Sequence, residues 1–199
     1  MEIFMKLEGG PNRLNYPLDK KSLTYSDSVR DEENSEIKFT FYDQSDTKIG
    51  DFEGFLGEEK AVLEIVHAHF LDKSLIPQAL KMVLDYAYDP EKIKHNVLRC
   101  DFEVVESGVK DRQLFKCGFF SINTPAGVEG SPYLYHLNPD FEGMITGNTN
   151  DTEIKEKLLT KCRAFYQKRE EYLKRFYNLR LSLLNNKNIY ANDIYIMSN

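Results

Sequence analysis

Between Leu63 and Pro90 the spacing of apolar residues switches from strand-like to helical, and the rest of the chain is arranged around that switch. LEIVHAHF is rich in β-branched and aromatic positions (Leu63, Ile65, Val66, Phe70) and reads as a strand. After a polar turn at Asp72 to Ser74, Ala79, Leu80, Val83, Leu84 and Ala87 recur at three- and four-residue spacing, which lays one apolar stripe of a helix on a sheet. Ser74 is the expected N-cap, and Pro77 suits the first turn, where a missing N–H costs nothing. Tyr88-Asp89-Pro90 ends the helix, because the residue before a proline is pushed out of the α region.

Upstream, MEIFMKLEG alternates as an opening strand with Ile3 and Met5 on one side. The polar tract from Gly10 to Ser35 reads as a long loop with at most one helical turn. EIKFTFYD places Ile37, Phe39 and Phe41 at period two, TKIGDFEGFLGE continues with Ile49, and short polar connectors QSDT and LGEEK join these runs and KAVLEIVHAHFL into an antiparallel meander. Downstream come a strand HNVLRCDFEVVE, a short helix DRQLFKCG, a strand GFFSINTP, a link TPAGVEGSP and a strand PYLYHLNP.

From residue 150 the pattern changes. DTEIKEKLLTKCRAFYQKREEYLKRFYNLRLSLLNN holds no Gly or Pro, and Leu158, Cys162, Phe165, Arg169, Tyr172, Phe176, Leu179 and Leu183 alternate at four and three. One long helix is expected there, capped by Asp151 or Thr152, and it either packs on the chain's own sheet or pairs with a partner. A domain of residues 1–149 followed by a helix and tail at 150–199 is the expected division. The tail NKNIYANDIYIMSN reads as an edge strand or a loose end.

The charge is unevenly distributed over the 199 residues. The net charge is -6, yet nine Lys or Arg face five Asp or Glu between Asp151 and Asn185. An acidic body disfavours broad nucleic-acid binding, and no apolar run approaches the length of a bilayer span. Glu2, Lys6 and Glu8 interrupt the start where a signal peptide needs an apolar core, and Cys100, Cys117 and Cys162 form no CxxC pair. The expected setting is the cytoplasm, without membrane or nucleic-acid partners and without a metal site. His67 and His69 flank Ala68 on one strand face, where either suits a base near neutral pH; two histidines lack a third metal ligand.

The order of a three-strand meander, a central helix, a strand, a short helix ending at Gly118-Phe119 and closing strands resembles the GNAT N-acetyltransferase superfamily. FLDKSLIPQALKMVLDYAYD, HNVLRCDFEV and QLFKCGFF carry the resemblance, from about Glu36 to Pro139. It implies an α+β fold with a mixed, mainly antiparallel sheet, a central helix and, here, an added long C-terminal helix. The implied activity is transfer of an acetyl group from acetyl-CoA to a small-molecule or peptide amine by direct attack; the alternative is a catalytically inactive GNAT-like binding or assembly module using the C-terminal helix, with a homodimer as one use of it.

The family's pyrophosphate turn, Q/R-x-x-G-x-G/A, falls on Leu71, Ser74 and Ile76, none of which matches, while Lys73 keeps a positive charge beside it. By the resemblance, Lys73, Ser74, Leu75 and Ile76 form the cofactor turn, and the backbone of Val66 to Ala68 pairs with the pantetheine arm. Glu64 takes the position of a strand glutamate found in several members, Tyr133, Tyr135 and His136 line the acceptor side, and the catalytic set becomes Glu64, His67 and Tyr135. The tyrosine acid of many members is replaced by Leu114, and Ser107 stands at a position that is often asparagine.

Overall fold

Strict alternation decides which face each strand buries, and the computed structural model, described for residues 2–9, 34–57, 61–93, 96–121 and 133–185, follows it closely. Six strands run in spatial order β1 (Phe4–Gly9), β2 (Asn34–Tyr42), β3 (Lys48–Gly57), β4 (Val62–Phe70), β5 (Arg99–Glu103) and β6 (Tyr133–Leu137). All neighbours are antiparallel except β4 and β5, which are parallel. A parallel pair needs a crossover. It is supplied by a 3-10 turn (Lys73–Leu75), α1 (Ile76–Ala87) and the single turn α2 (Pro90–Ile93). This is the GNAT-like mixed α+β architecture.

Ile37, Phe39, Phe41, Phe52, Leu56, Leu63 and Ile65 face α1, whose Ala79, Leu80, Val83, Leu84 and Ala87 are all buried against them. Phe52 anchors that layer, packing on Phe70 at 4.9 Å, Phe41 at 5.6 Å and Phe102 at 6.0 Å between ring centroids. Burying an apolar side chain of this size stabilises by roughly 1.5–3 kcal/mol. Pro77 sits in the first turn of α1 and Tyr88 closes it. The N-cap differs from the expectation: Asp72, not Ser74, caps the preceding 3-10 turn, its Oδ1 accepting from the Ser74 N–H at 2.9 Å. An aspartate one turn earlier reaches the bare N–H first.

The opposite face is covered only in part by the described helices. α5 (Phe141–Asn148) and α6 (Thr152–Asn185) form a second core with Leu98, Phe120 and Leu137 over the β5–β6 half. Asp151 caps α6 through Oδ1, which accepts from the N–H groups of Glu153 at 2.9 Å and Ile154 at 3.0 Å. Leu158, Cys162, Phe165 and Tyr172 of the apolar seam are buried within the chain, so this half of the helix packs on its own domain. Phe176, Leu179 and Leu183 lie outside the side chains described.

Three expectations need correction. HNVLRCDFEVVE is a strand only at Arg99–Glu103; Val104–Ser107 forms the helical turn α3, closed by Gly108 at φ 64°. The β4–β5 ladder has stopped by then, so the two valines have no strand to pair with. GFFSINTP contributes a single bridge, Phe120 to Tyr135, among its described residues. Between PYLYHLNP and the long helix no element was expected, whereas the structure holds α5, whose Phe141, Met144 and Ile145 keep helical spacing across Gly143 and Gly147. The tract 10–33, the turn at 58–60, the link at 122–132 and the tail at 186–199, all given readings above, lie outside the described residues.

Candidate active site

Two irregularities in β4 build the site. The parallel ladder runs only from Val62 with Arg99 to Ile65 with Phe102, while β4 continues to Phe70. Among the described residues, Val66 to Phe70 therefore have no ladder partner on the β5 side. On the other side the register with β3 shifts between Glu53 and Gly54, so that Glu53 opposes His67 while Gly54 opposes Ile65. Val66 is the extra residue, a bulge that re-aims the strand at the point where its edge opens. Gly54 makes this possible: a Cβ there would lie 1.8 Å from the Glu64 carbonyl oxygen.

The face of β4 turned away from α1 carries His67 and His69 together, as the alternation implied, and the bulge at Val66 brings Glu64 onto that same face; the two imidazoles stack at 6.0 Å with planes 24° apart. Opposite them on β3 stand Asp51, facing His69, and Glu53, facing His67. Glu53 is ion-paired and hydrogen-bonded to Lys38 of β2. That bond, with further help from the charges of Lys38 and both histidines, holds the Glu53 carboxyl below the usual carboxylate range against a smaller cost of burial. A cavity of about 500 Å³ opens over this face, lined among others by Glu8, Glu36, Lys38, Glu53, Val66 and His67. Its rim carries more carboxylates than cations.

Glu64 lies on the same face, next to Asp101 of β5 and opposite Phe55 of β3, outside the lining of that cavity. Asp101 is held by the Arg99 guanidinium through two bonds of 2.6 Å; burial pushes its carboxyl upward, and Arg99 opposes that. Tyr135 shares the face but is fixed by packing: Arg99 stacks over its ring at 5.4 Å and Phe165 meets it edge-on at 6.0 Å. Burial raises its hydroxyl to about 12. The structure thus puts Glu64 and His67 on one face of β4 but only His67 in the cavity, and seats Tyr135 beneath α6. His136 points to the α1 side instead, where its Nδ1 lies 2.9 Å from the Tyr88 hydroxyl.

The turn after β4 has few donors left. The N–H of Ser74 donates to Asp72 Oδ1 at 2.9 Å, that of Leu75 to the Asp72 carbonyl at 3.2 Å, and that of Ile76 to the Lys73 carbonyl. Neither bulky residue plugs the notch: Leu71 is 87% exposed and Ile76 is buried in the core. Gln113 of α4 (Asp111–Lys116) braces the turn by donating from Nε2 to the Lys73 carbonyl at 2.6 Å. A second cavity of about 500 Å³ touches this end of the sheet, with Lys48, Asp51, His69 and Lys73 among its lining. Leu114, at the family's tyrosine position, is wholly buried, and the Ser107 hydroxyl is used within its own turn, donating to the Val104 carbonyl and accepting from the Val109 N–H.

Sequence reasoning passed over Glu53 and Asp51. Alternation in GDFEGF puts both on the polar face of β3, but the pairing with His67 and His69 depends on the bulge at Val66, which no local pattern announces. Among the described residues no group of three His, Cys, Asp or Glu side chains is placed to hold a metal. No described helix is long and apolar enough to cross a membrane.

The interrupted parallel ladder beside a central helix defines a mixed α+β sheet with one opened strand. No protein-family model matches the chain, and no curated protein matches it either. Among solved structures it is similar to spermidine N-acetyltransferase from Vibrio cholerae in complex with CoA and spermine, at 16% identity over 56% of this chain and 70% of that one, with a TM-score of 0.41. A dodecameric structure of the same enzyme in an intermediate state is similar at 16% identity over 56% and 68%, with a TM-score of 0.40. Strand order, the broken ladder and the crossover helix carry the fold assignment independently of these figures.

Proposed function

We propose that the chain is an acyl-CoA-dependent N-acyltransferase, with acetyl-CoA as donor and a small cationic amine as acceptor. The observation that carries this reading is the open edge of β4 from Val66 to Phe70, which lies beside a cavity walled by Glu8, Glu36, Glu53 and His67. An exposed strand edge offers N–H and C=O groups to an extended amide-bearing ligand whatever the side chains are. Val66 and Ala68 would hold the pantetheine amides, and Lys73 with the turn through Ser74, Leu75 and Ile76 would face the pyrophosphate. The donor supplies an activated thioester. The acidic rim draws a protonated amine inward, and a base on β4 removes its proton once it is positioned. Polyamines, amino sugars and lysine side chains are the acceptor classes that the rim suits.

The turn favours a second reading. Its N–H groups are committed to Asp72 and Lys73 rather than left bare. On that reading the fold has kept its sheet, lost transfer, and serves as a binding or assembly module. Leu158, Cys162, Phe165 and Tyr172 are already covered by the chain itself, so a homodimer through α6 would use the helix beyond Tyr172, where Tyr177 is exposed. The free thiols of Cys100, Cys117 and Cys162 suit a reducing, cytoplasmic setting under either reading.

Thermal-shift titration with acetyl-CoA and CoA, followed by an acceptor screen with thiol detection, separates the two. Saturating a site at a hundred times its dissociation constant adds about 2.7 kcal/mol, which is readable as a rise of several degrees. A shift that Lys73→Glu abolishes, with thiol release on adding a polyamine, is the expected result. No shift at millimolar ligand rejects the transferase reading.

A further inference from the structure

Both Glu64 and His67 stand on the polar face of β4, and their surroundings differ. Glu64 is off the cavity, beside Asp101 and the face that Tyr135 and Arg99 fill. His67 lines the cavity next to the bulge residue Val66, at the start of the open edge. Directly across from it stands Glu53, and residues paired in this way hold their Cβ atoms about 4.5–5.5 Å apart. Glu53 is in turn fixed by Lys38. The line Lys38, Glu53, His67 runs across three strands towards the cavity, each member set by strand register rather than by a mobile loop.

We propose, resting on the transferase reading, that His67 is the general base and that Glu53 is its positioning residue, orienting the imidazole and stabilising the imidazolium as the amine is deprotonated. In the step, the amine nitrogen forms a bond to the acyl carbon as the carbon–sulfur bond breaks. The ammonium first gives one proton to His67, which passes it to solvent; the neutral nitrogen then attacks, loses its second proton to solvent as the amide forms, and the departing thiolate takes up a proton from solvent. A fixed carboxylate beside the base has a physical purpose: it favours the charged imidazole that the transfer creates. Lys38 keeps Glu53 ionised and in place, so the carboxylate aids the base without competing for the proton. Among the described residues, the other charged or titratable groups on this face are His69 and Glu64 on its own strand, Asp51 on β3, and Glu36 of β2 and Glu8 of β1, which line the same cavity.

The test compares wild type with Glu53→Gln and Lys38→Met in two readouts. The first is the protonation midpoint of the His67 ring in the free protein, followed by NMR on histidine-labelled chain with His67→Gln for assignment. The second is the pH profile of kcat/KM for a polyamine acceptor with acetyl-CoA. Glu53→Gln, which removes a negative charge opposite the ring, should move the His67 midpoint and the acid limb of the profile down together, and Lys38→Met, which removes a positive one, should move both up. Glu53→Gln should also lower kcat about tenfold or more while KM for acetyl-CoA stays within about twofold. A midpoint unmoved in both variants overturns the pairing, whatever the activity. Midpoints that move while the acid limb stays fixed overturn the role of His67 as base and leave the transferase reading standing. Midpoints that move in a protein that neither binds acetyl-CoA nor releases thiol overturn the transferase reading itself, and the positioning role with it. Lys38→Met changes the partner of Glu53 without replacing Glu53 itself, so the test survives if Glu53→Gln folds poorly.

Discussion

Acidification should destabilise this fold through one half-buried imidazole. His136 of β6 is packed between Tyr88 at the end of α1, whose ring stacks on it at 5.6 Å, and Phe119 at 5.3 Å. The Tyr88 hydroxyl donates to the His136 carbonyl at 2.8 Å and lies 2.9 Å from Nδ1, while Nε2 faces Gly118 and the Arg169 guanidinium. Burial, and after it the charge of Arg169, push the imidazole down from 6.5 to about 4. The folded protein then binds fewer protons than the unfolded chain between those values. Stability is fully present above the unfolded value near 6.5 and is lost as the pH falls towards the folded value near 4. Linkage gives a loss of about 2 kcal/mol between about pH 7.5 and about pH 5, growing to about 3.4 kcal/mol below both values.

Urea unfolding followed by circular dichroism at both pH values measures this directly, with His136→Asn as the reference chain. Asparagine keeps a donor towards Tyr88 but cannot take up a proton, and other titrating groups cancel in the difference. The Lys38-bound Glu53 and the Arg163-bound Glu142 have lowered values and titrate below this window. Wild type should lose about 2 kcal/mol more than the variant over the interval. A difference under about 0.5 kcal/mol would refute the reasoning, since it would mean that water or a local shift solvates the imidazolium.

Three further outcomes are expected. Gly54→Ala puts a methyl 1.8 Å from the Glu64 carbonyl oxygen and 3.0 Å from the Ile65 Cα, backbone atoms that cannot move aside, so chemical denaturation should show a loss at or above the usual overpacking range of about 1–3 kcal/mol. Asp72→Ala frees the Ser74 N–H and removes a negative charge from the turn, so CoA should bind about tenfold more tightly by calorimetry; equal or weaker binding would show that the turn takes no part. Strand spacing puts Glu36 and Glu8 about 10–14 Å from β4, so an amine whose second charge is that far from the first should lose affinity in Glu8→Gln and Glu36→Gln, while a monoamine should not, as acceptor KM values would record.

What the sequence made legible was whatever rests on one-sided burial. Ile37, Phe39 and Phe41 alternate because one face of β2 meets α1, and the stripe from Ala79 to Ala87 repeats because the helix meets that same face. Asp151 as a cap and the buried seam residues of α6 follow from equally local rules. The bulge at Val66 was not legible, since it depends on the register with a strand distant in the chain, and the stop of the parallel ladder at Ile65 was reached only through the family resemblance, which put exposed backbone at Val66 to Ala68. Glu53 went unnoticed for that reason: as a lone glutamate in an alternating strand it resembles any solvated rung, and it gains a role only by standing opposite His67. Asp72 was overlooked for a different reason. Ser74 is an equally good capping residue, and only geometry shows which of the two side chains reaches the bare N–H.

The two halves of the candidate site depend on sequence in different ways, and this explains why one is intact and the other altered. The open edge of β4 is made of backbone; it survives nearly any substitution that keeps the register, and its one strict demand, a residue without Cβ where Glu64 approaches, is met by Gly54. A phosphate-binding turn instead needs bare N–H groups and small side chains, because the anion must come within hydrogen-bonding distance of the backbone itself. Here a carboxylate from Asp72 already sits on one of those N–H groups, and Gln113 holds the turn in that shape from α4. An incoming pyrophosphate must compete with an internal anion at high effective concentration. On the proposed transferase reading, affinity for an acyl carrier would therefore fall mainly to the pantetheine segment on β4 and to the side chain of Lys73, which is why charge reversal at Lys73 is the most informative single change at that end.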